Sequence, residues 1–551
     1  MSNNTLLNPG YGGDVIRTVD QDNVKTQAVA LMGTQDNGTL AYVPATSEGH
    51  LEVAIHNPLN PFGSLHTENL LPIFQTDAVY GINPSESVAT TGLSYDPGPA
   101  IGSNSGSNTG TNNLFTCSTG TTAYSFATIQ SRRRLRYRAG QGLVGRFAGY
   151  FSAPAANTIV VGGFGTAESG VYFGYNGTSF GILHSTGGVR EIQTFTVSAA
   201  ASTGGTATFR LNGLDTEITL ATSATTTLTA NDIATKTFPG WKVEAIGATV
   251  IFLADSVGNK AGTFSFTLGT AIGAAGSFAE TRAGVATTDT WIPQSQWNGD
   301  KCDGTGASGF TLDPSKGNVY QIGIQYLGFG TLTFSVEVPS IDGNNAEFTV
   351  VHTINAPNTR TSVTIIQPSF PFTMAAYSSG ATTNVSISVG SYAGFVEGQK
   401  RLTGPRQTYF NTTGVTSSTS AYTPIFTVRN GYVYGNRANQ AVVNLLSFGG
   451  ASTSNTGITS FYLIRNATLT GGSWSAYGGT SCTDVNTTAT VATFSTNDQV
   501  IFTGTVAKDG SILFQFGDDI TIQPGETVTL AVRSVTATAT CVGQINTRED
   551  Q

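Results

Sequence analysis

The sequence predicts an all-β protein: tandem β-sandwich or jelly-roll-like domains, an extended N-terminal arm and a small inserted α+β domain. Three observations carry this expectation. Only 11% of the 551 residues are charged, against about 25% in an average soluble domain. Sixty-seven residues are glycine. Most of the remainder is Thr, Ser and Asn set between short β-branched or aromatic runs. A chain so poor in Lys and Glu cannot cover itself with charged helices. Hydroxyls, amides and turns must solvate it instead, as they do in assembled β proteins.

Taken in order, residues 1–97 read as an arm that attaches the chain to a neighbour. Only His50–Ile55 alternates like a strand there, and Asn57-Pro58, Asn60-Pro61 and Leu71-Pro72 punctuate the rest. Residues 98–113, rich in Gly, Ser and Asn, read as a polar linker. Strand-like runs then follow with clear turn signals, and Asn176-Gly177 marks a hairpin. The style changes near Val189 to an alanine- and threonine-rich, nearly charge-free segment. Residues 191–286 are therefore assigned to an inserted module, with one short helix over Thr229–Lys236. Residues 114–190 and 287–400 become two halves of one sandwich, the insert sitting at a hairpin tip, where insertions are tolerated. Residues 406–551 form a second sandwich. In it Val528, Leu530 and Val532 share one face of a strand, and Thr527, Thr529 and Ala531 the other.

Charge and apolar patterning exclude several classes. A net charge of −8, spread along the chain, calls for neither nucleic acid nor an anionic membrane. Apolar runs reach only strand length, so no membrane insertion is expected, and MSNNTLLNPG lacks the regions of a secretory signal. Cys117, Cys302, Cys482 and Cys541 form no CxxC pair and read as isolated thiols, with Cys482 and Cys541 the best candidates for a bridge.

Motifs that bear on chemistry are sparse. Gly177-Thr178-Ser179-Phe180-Gly181 matches GxSxG, but strands flank it where a nucleophile elbow needs a strand-to-helix turn. Gly140-Gln141-Gly142-Leu143-Val144-Gly145 matches GxGxxG, but a strand pattern follows it, not a helix. No catalytic residue, cofactor or metal site is assigned. Asp300, Asp303, Asp313 and Asp342-Gly343-Asn344 read as turn residues, a loop cation being the alternative. Arg132, Arg133, Arg134, Arg136 and Arg138 form the one dense charge cluster. Arg134, Arg136 and Arg138 fall on one strand face, which marks an edge or interface strand paired to acids such as Glu168, Glu191 or Glu337. A subunit contact and an external polyanion are the alternatives. Trp291, Trp297 and Trp474, with Tyr326 and Phe329, are candidates for core or interface packing or for stacking on a glycan.

Several phrases resemble structural proteins of marine tailed phages and large algal DNA viruses. They are His56-Asn57-Pro58 through Gly81-Ile82-Asn83, Leu135–Gly142, Tyr172–Leu183 and Trp291-Ile292-Pro293. Leu463–Gly471 with Pro524-Gly525-Glu526 is similar to a β-sandwich module at the ends of such proteins. The resemblance implies a component of the virion's outer surface, capsid-associated or part of a fibre. It also implies self-assembly, with a trimer favoured by analogy to viral fibres, and contacts to other capsid or tail proteins and to host surface glycans. No catalytic motif comes with it. The alternative reading is a glycan-binding adhesin on a cell or virus surface.

Overall fold

The computed structural model describes residues 70–93, 103–325, 327–339, 346–398, 404–453, 457–517 and 520–550, together with five short strands nearer the N-terminus. The protein is nearly all-β, with several antiparallel sheets and, among the described residues, one α-helix.

Residues 1–67 form one compact unit and residues 68–551 another. Within it Asn4–Leu6, Val15–Gln21 and Val24–Gln27 make a three-stranded antiparallel sheet, and Met32–Thr34 pairs with Leu40–Tyr42. The strand expected at His50–Ile55 lies outside the described residues.

In the larger unit, strands between Leu70 and Thr186 and between Thr288 and Glu397 build two facing sheets. One has seven strands, with Gly170–Asn176, Thr158–Gly165 and Ser369–Ser378 at its centre and Ser125–Arg136 beside them; the other has eight, centred on Leu143–Phe151 and Ser386–Glu397. Aromatic side chains fill the space between them. Phe372 stacks on Tyr392 at 4.2 Å, and Phe173 meets Tyr320 at 4.9 Å and Phe334 at 5.5 Å. Ser179–Thr186 and Thr288–Pro293 pair directly, so the two ends of the intervening segment leave from adjacent strands.

The arm and linker expected over 1–97 and 98–113 are corrected in part. Leu70–Asp77 and Ser87–Leu93 are sandwich strands, paired to Ser386–Glu397 and to Ser125–Arg136. The twelve-residue Ser125–Arg136 strand would otherwise leave one row of backbone groups unpaired. Within the linker, Ser107–Thr111 forms a hairpin with Leu114–Ser118. Its turn is Asn112-Asn113, both at positive φ (55° and 59°), as a type I′ turn demands.

The segment from Arg190 to Arg282 makes a four-stranded and a three-stranded sheet around its own phenylalanine core. Phe209 is buried at its centre, 5.1 Å from Phe195 and 4.9 Å from Phe266. Its helix spans Thr226–Ala234, starting three residues earlier than the pattern suggested, because the Thr225 side chain takes the N-cap and accepts the Leu228 N–H, and ending two earlier. Residues 406–550 make a third pair of sheets. One is ordered Arg406–Thr416, Thr540–Asp550, Val442–Thr453 and Ser511–Gln515, with Thr521–Ile522 added to Val442–Thr453. The six strands of the other include Thr423–Asn430, Thr527–Ser534 and Thr459–Arg465.

The aromatic packing of the first sandwich sets a stability expectation. Phe173 is fully buried among three rings. Phe173→Ala should lower its unfolding free energy by about 3–5 kcal/mol, read as a shifted denaturant midpoint with an unchanged slope.

Candidate functional site

Proline has no N–H to give a sheet ladder. Where Pro371 stands in its strand, the partner strand Ser125–Arg136 bulges between Gln130 and Arg134. The Ser131 hydroxyl fills the gap: it accepts the Phe372 N–H at 2.9 Å and donates to the Arg133 carbonyl at 2.6 Å. Past the bulge Leu135 turns into the core, and Arg134 and Arg136 point away from it.

These arginines end on the C-terminal sandwich of the same chain. Arg132 pairs with Glu526. Arg134 donates to the Gln440 side-chain oxygen. Arg136 donates to the Gln440 carbonyl at 2.8 Å, and Arg138 reaches both Asp550 oxygens at 3.1 and 3.2 Å. Of the three acids expected as partners, Glu168 joins this joint, 3.8 Å from Arg190 and hydrogen-bonded by Gln440 at 3.3 Å. Glu191 instead accepts from Gln193 and from the Lys260 backbone. Glu337 acts electrostatically on Arg146. Burial, with Arg136 and Arg190 nearby, pushes the Arg134 guanidinium down to about 10, still ionised at neutral pH. Burial also raises the Glu168 carboxyl against the pull of Arg190.

A second joint ties the inserted module to the C-terminal sandwich. Glu244 (1% exposed) accepts the Tyr432 and Val433 N–H groups at 2.7 and 3.2 Å. Arg429 lies 3.7 Å from Glu244 and 2.8 Å from Asp484, and also donates to the Ala245 carbonyl at 2.9 Å. Its guanidinium stands 4.4 Å over the Trp474 ring. Asn231 donates to the Gly472 carbonyl at 2.9 Å, and Ile192, Leu253 and Ala438 close a small apolar patch beside the cluster.

The tryptophans therefore do not form an exposed stacking platform. Trp297 is buried against Phe173 and Phe180, Trp291 is half-buried with its N–H 3.4 Å from Ser179, and Trp474 lies under Arg429. Phe329 is exposed, and Tyr326 lies outside the described residues. Asp300, Asp303 and Asp313 each accept nearby backbone N–H groups, as turn residues do; Asp342-Gly343-Asn344 lies outside the described residues. His184 is buried, with Nε2 3.0 Å from the Thr364 carbonyl, and Ser179 opens a strand. All four cysteines are buried and free. The Cys482 N–H bonds to Glu549, eight residues along the strand from Cys541. That spacing is about 26 Å, far beyond disulfide reach.

A cleft of about 440 Å³ opens at the seam between the first and C-terminal sandwiches. One wall carries Gln75, Ser85, Glu86, Arg132 and Arg133; the other carries Arg465, Asp498, Ile501 and Thr521. Arg133 and the two acids are exposed. Arg132 and Arg133 belong to the cluster seen in the sequence. Arg465, Asp498 and Glu86 were not singled out, because nothing local marks them.

No protein-family model matches the sequence, and comparison with curated proteins finds no match. Among solved structures, a peanut lectin with a nine-residue peptide aligns with 57% of this chain and 99% of its own, at 9% identity and a TM-score of 0.20. A likeness that weak carries no argument here.

Two expectations follow from the joints. Arg429→Ala leaves two buried carboxylates without their countercharge, and should cost about 3–5 kcal/mol in denaturant unfolding. Burial raises the Glu168, Glu244 and Asp484 carboxyls above their ordinary values. Their contribution to stability is thus full below the unfolded-state values near 4 and is lost as pH rises through the higher folded-state values. Burial lowers the His184 and His352 imidazoles, which favours the fold as pH rises through the same range. The carboxyl effect is therefore read as a difference between proteins: from pH 5 to pH 8 the melting temperature of Glu244→Gln should rise relative to that of the wild type.

Proposed function

We propose that this chain is a structural component of a virion's exterior, acting by self-assembly and display at the host surface rather than by catalysis. One observation carries the reading. Ion pairs lock the joints between domains, while an outer sheet face of the C-terminal sandwich carries no charge across three rows. In register across that face run Thr408, Asn546, Ser447 and Gln515; then Phe410, Gln544, Gly449 and Leu513; then Val542, Ala451 and Ser511. The alternate residues Tyr409, Phe448 and Ile545 point into the core. Phe410 and Leu513 are 61% and 65% exposed. Amides, hydroxyls and lone apolar groups are cheaper to desolvate than charges, which suits contact with a second copy of the chain. The resemblance of the quoted phrases to virion proteins supports the same reading.

Two measurements test it. Light scattering should find a closed oligomer, with a trimer favoured, and Leu513→Asp should reduce its mass without lowering the melting temperature. A monomeric wild-type chain would overturn self-assembly. Removing residues 1–67, a compact unit of its own, should leave the remainder folded but absent from particles. Full incorporation of the truncated chain would remove the N-terminal unit from attachment. Antibodies to residues 406–551 should label intact particles, and labelling of disrupted particles alone would contradict an exterior position.

A further inference from the structure

We propose that the cleft between the two sandwiches binds an acidic saccharide unit, a sugar bearing one carboxylate or sulfate. This deepens the exterior-display reading and rests on it. The polar groups of the cleft divide into those already engaged and those not. Arg132 is held by Glu526 and by the Pro84 carbonyl. Among the described residues, the Arg133 guanidinium has one long hydrogen bond, to the Ile73 carbonyl at 3.4 Å. Arg465 reaches the Thr521 carbonyl at 3.3 Å, and its Nε is buried with no hydrogen-bond partner. Glu86 and Asp498 are exposed and, among the described residues, enter no ion pair.

The backbone builds these positions. The Pro371-associated bulge presents Arg133, and bulges of this kind re-aim side chains beside sites. On the other wall Asp498 sits in a 3-10 turn fixed by a capping box, Thr496 with Gln499, and that Gln499 side chain also donates to the Arg465 and Asn466 carbonyls at 3.2 and 3.1 Å.

The donor set selects the ligand. The Arg133 fork and a terminal nitrogen of Arg465, whose buried Nε stays out of reach, match the geometry of a carboxylate or sulfate. Two carboxylates, with Gln75 and Ser85, accept or share hydroxyl protons. A densely anionic polymer would be repelled by Glu86 and Asp498, and a neutral sugar would leave both arginines unmatched. One anionic group surrounded by hydroxyls satisfies both sets. The volume lies at the lower end of ligand pockets, room for one or two sugar rings.

Calorimetric titration of the full-length chain with a galacturonate disaccharide, a sulfated galactose disaccharide and a neutral galactose disaccharide tests this. At least one acidic probe should bind at least tenfold more tightly than the neutral one, and the two acidic arms tell carboxylate from sulfate. Arg133→Ala and Arg465→Gln should each weaken that binding about tenfold. Arg133 is exposed, so its variant should keep the wild-type melting temperature. Equal affinity for the neutral probe, no acidic probe bound at millimolar concentration, or binding indifferent to both arginine variants would overturn the proposal. Particles that carry the chain but bind neither acidic probe would sink the saccharide site and leave the structural role standing. A chain that binds an acidic probe yet is missing from particles would do the reverse.

Discussion

A charge taken out of water must find a partner or be neutralised. In this chain that constraint decides how the domains sit. Arg429 has to serve Glu244 from the inserted module and Asp484 from its own sandwich, and two backbone N–H groups complete the shell of Glu244. Few relative placements of the two modules satisfy all of these at once. The same holds at the other joint, where Gln440 takes Arg134 on its side-chain oxygen, Arg136 on its carbonyl and Glu168 through its amide.

Each module builds its own aromatic core. The apolar patch beside the second joint is small by comparison. Hydrophobic burial therefore folds the modules one at a time, and it does little to orient them. Polar contacts do the orienting, because hydrogen bonds and ion pairs depend on direction as well as distance. Buried ion pairs add little net stability over well-packed apolar groups. Their role here is to specify one arrangement.

What could be read from the sequence follows the range of each signal. Period-two alternation and turn residues are local, so the all-β class and the pairing of Gly170–Asn176 with Ser179–Thr186 at Gly177 are legible. The Asn112-Asn113 hairpin was hidden by composition: a stretch of Gly, Ser and Asn looks like a linker whether or not its turn closes a ladder. Leu70–Asp77 was obscured because Leu71-Pro72 reads as a breaker, yet the strand lies off the main path of its sheet, paired to Ser386–Glu397, where a proline is tolerated. The face shared by Arg134, Arg136 and Arg138 was visible. Glu526, Gln440 and Asp550 were not, since some 300–400 residues separate them from the arginines. Trp297 shows the limit from the other side: among polar loop residues, core, interface and glycan platform are all open readings, and only the fold, which sets it under Phe173 and Phe180, decides for the core.

The cleft follows from these joints. Its two walls come from sandwiches that meet through Arg132–Glu526 and the contacts of Arg134, Arg136 and Arg138, so neither wall is a site alone. A bulge caused by one proline puts Arg133 on the rim, next to an arginine that the joint consumes. The division of labour inside a single basic run is thus set by backbone geometry. Arg132 turns toward an acid and locks the seam, while Arg133, one residue on, has only a long contact to a carbonyl. Consecutive arginines in a regular strand would face opposite sides of the sheet. The bulge lets both line the same cleft.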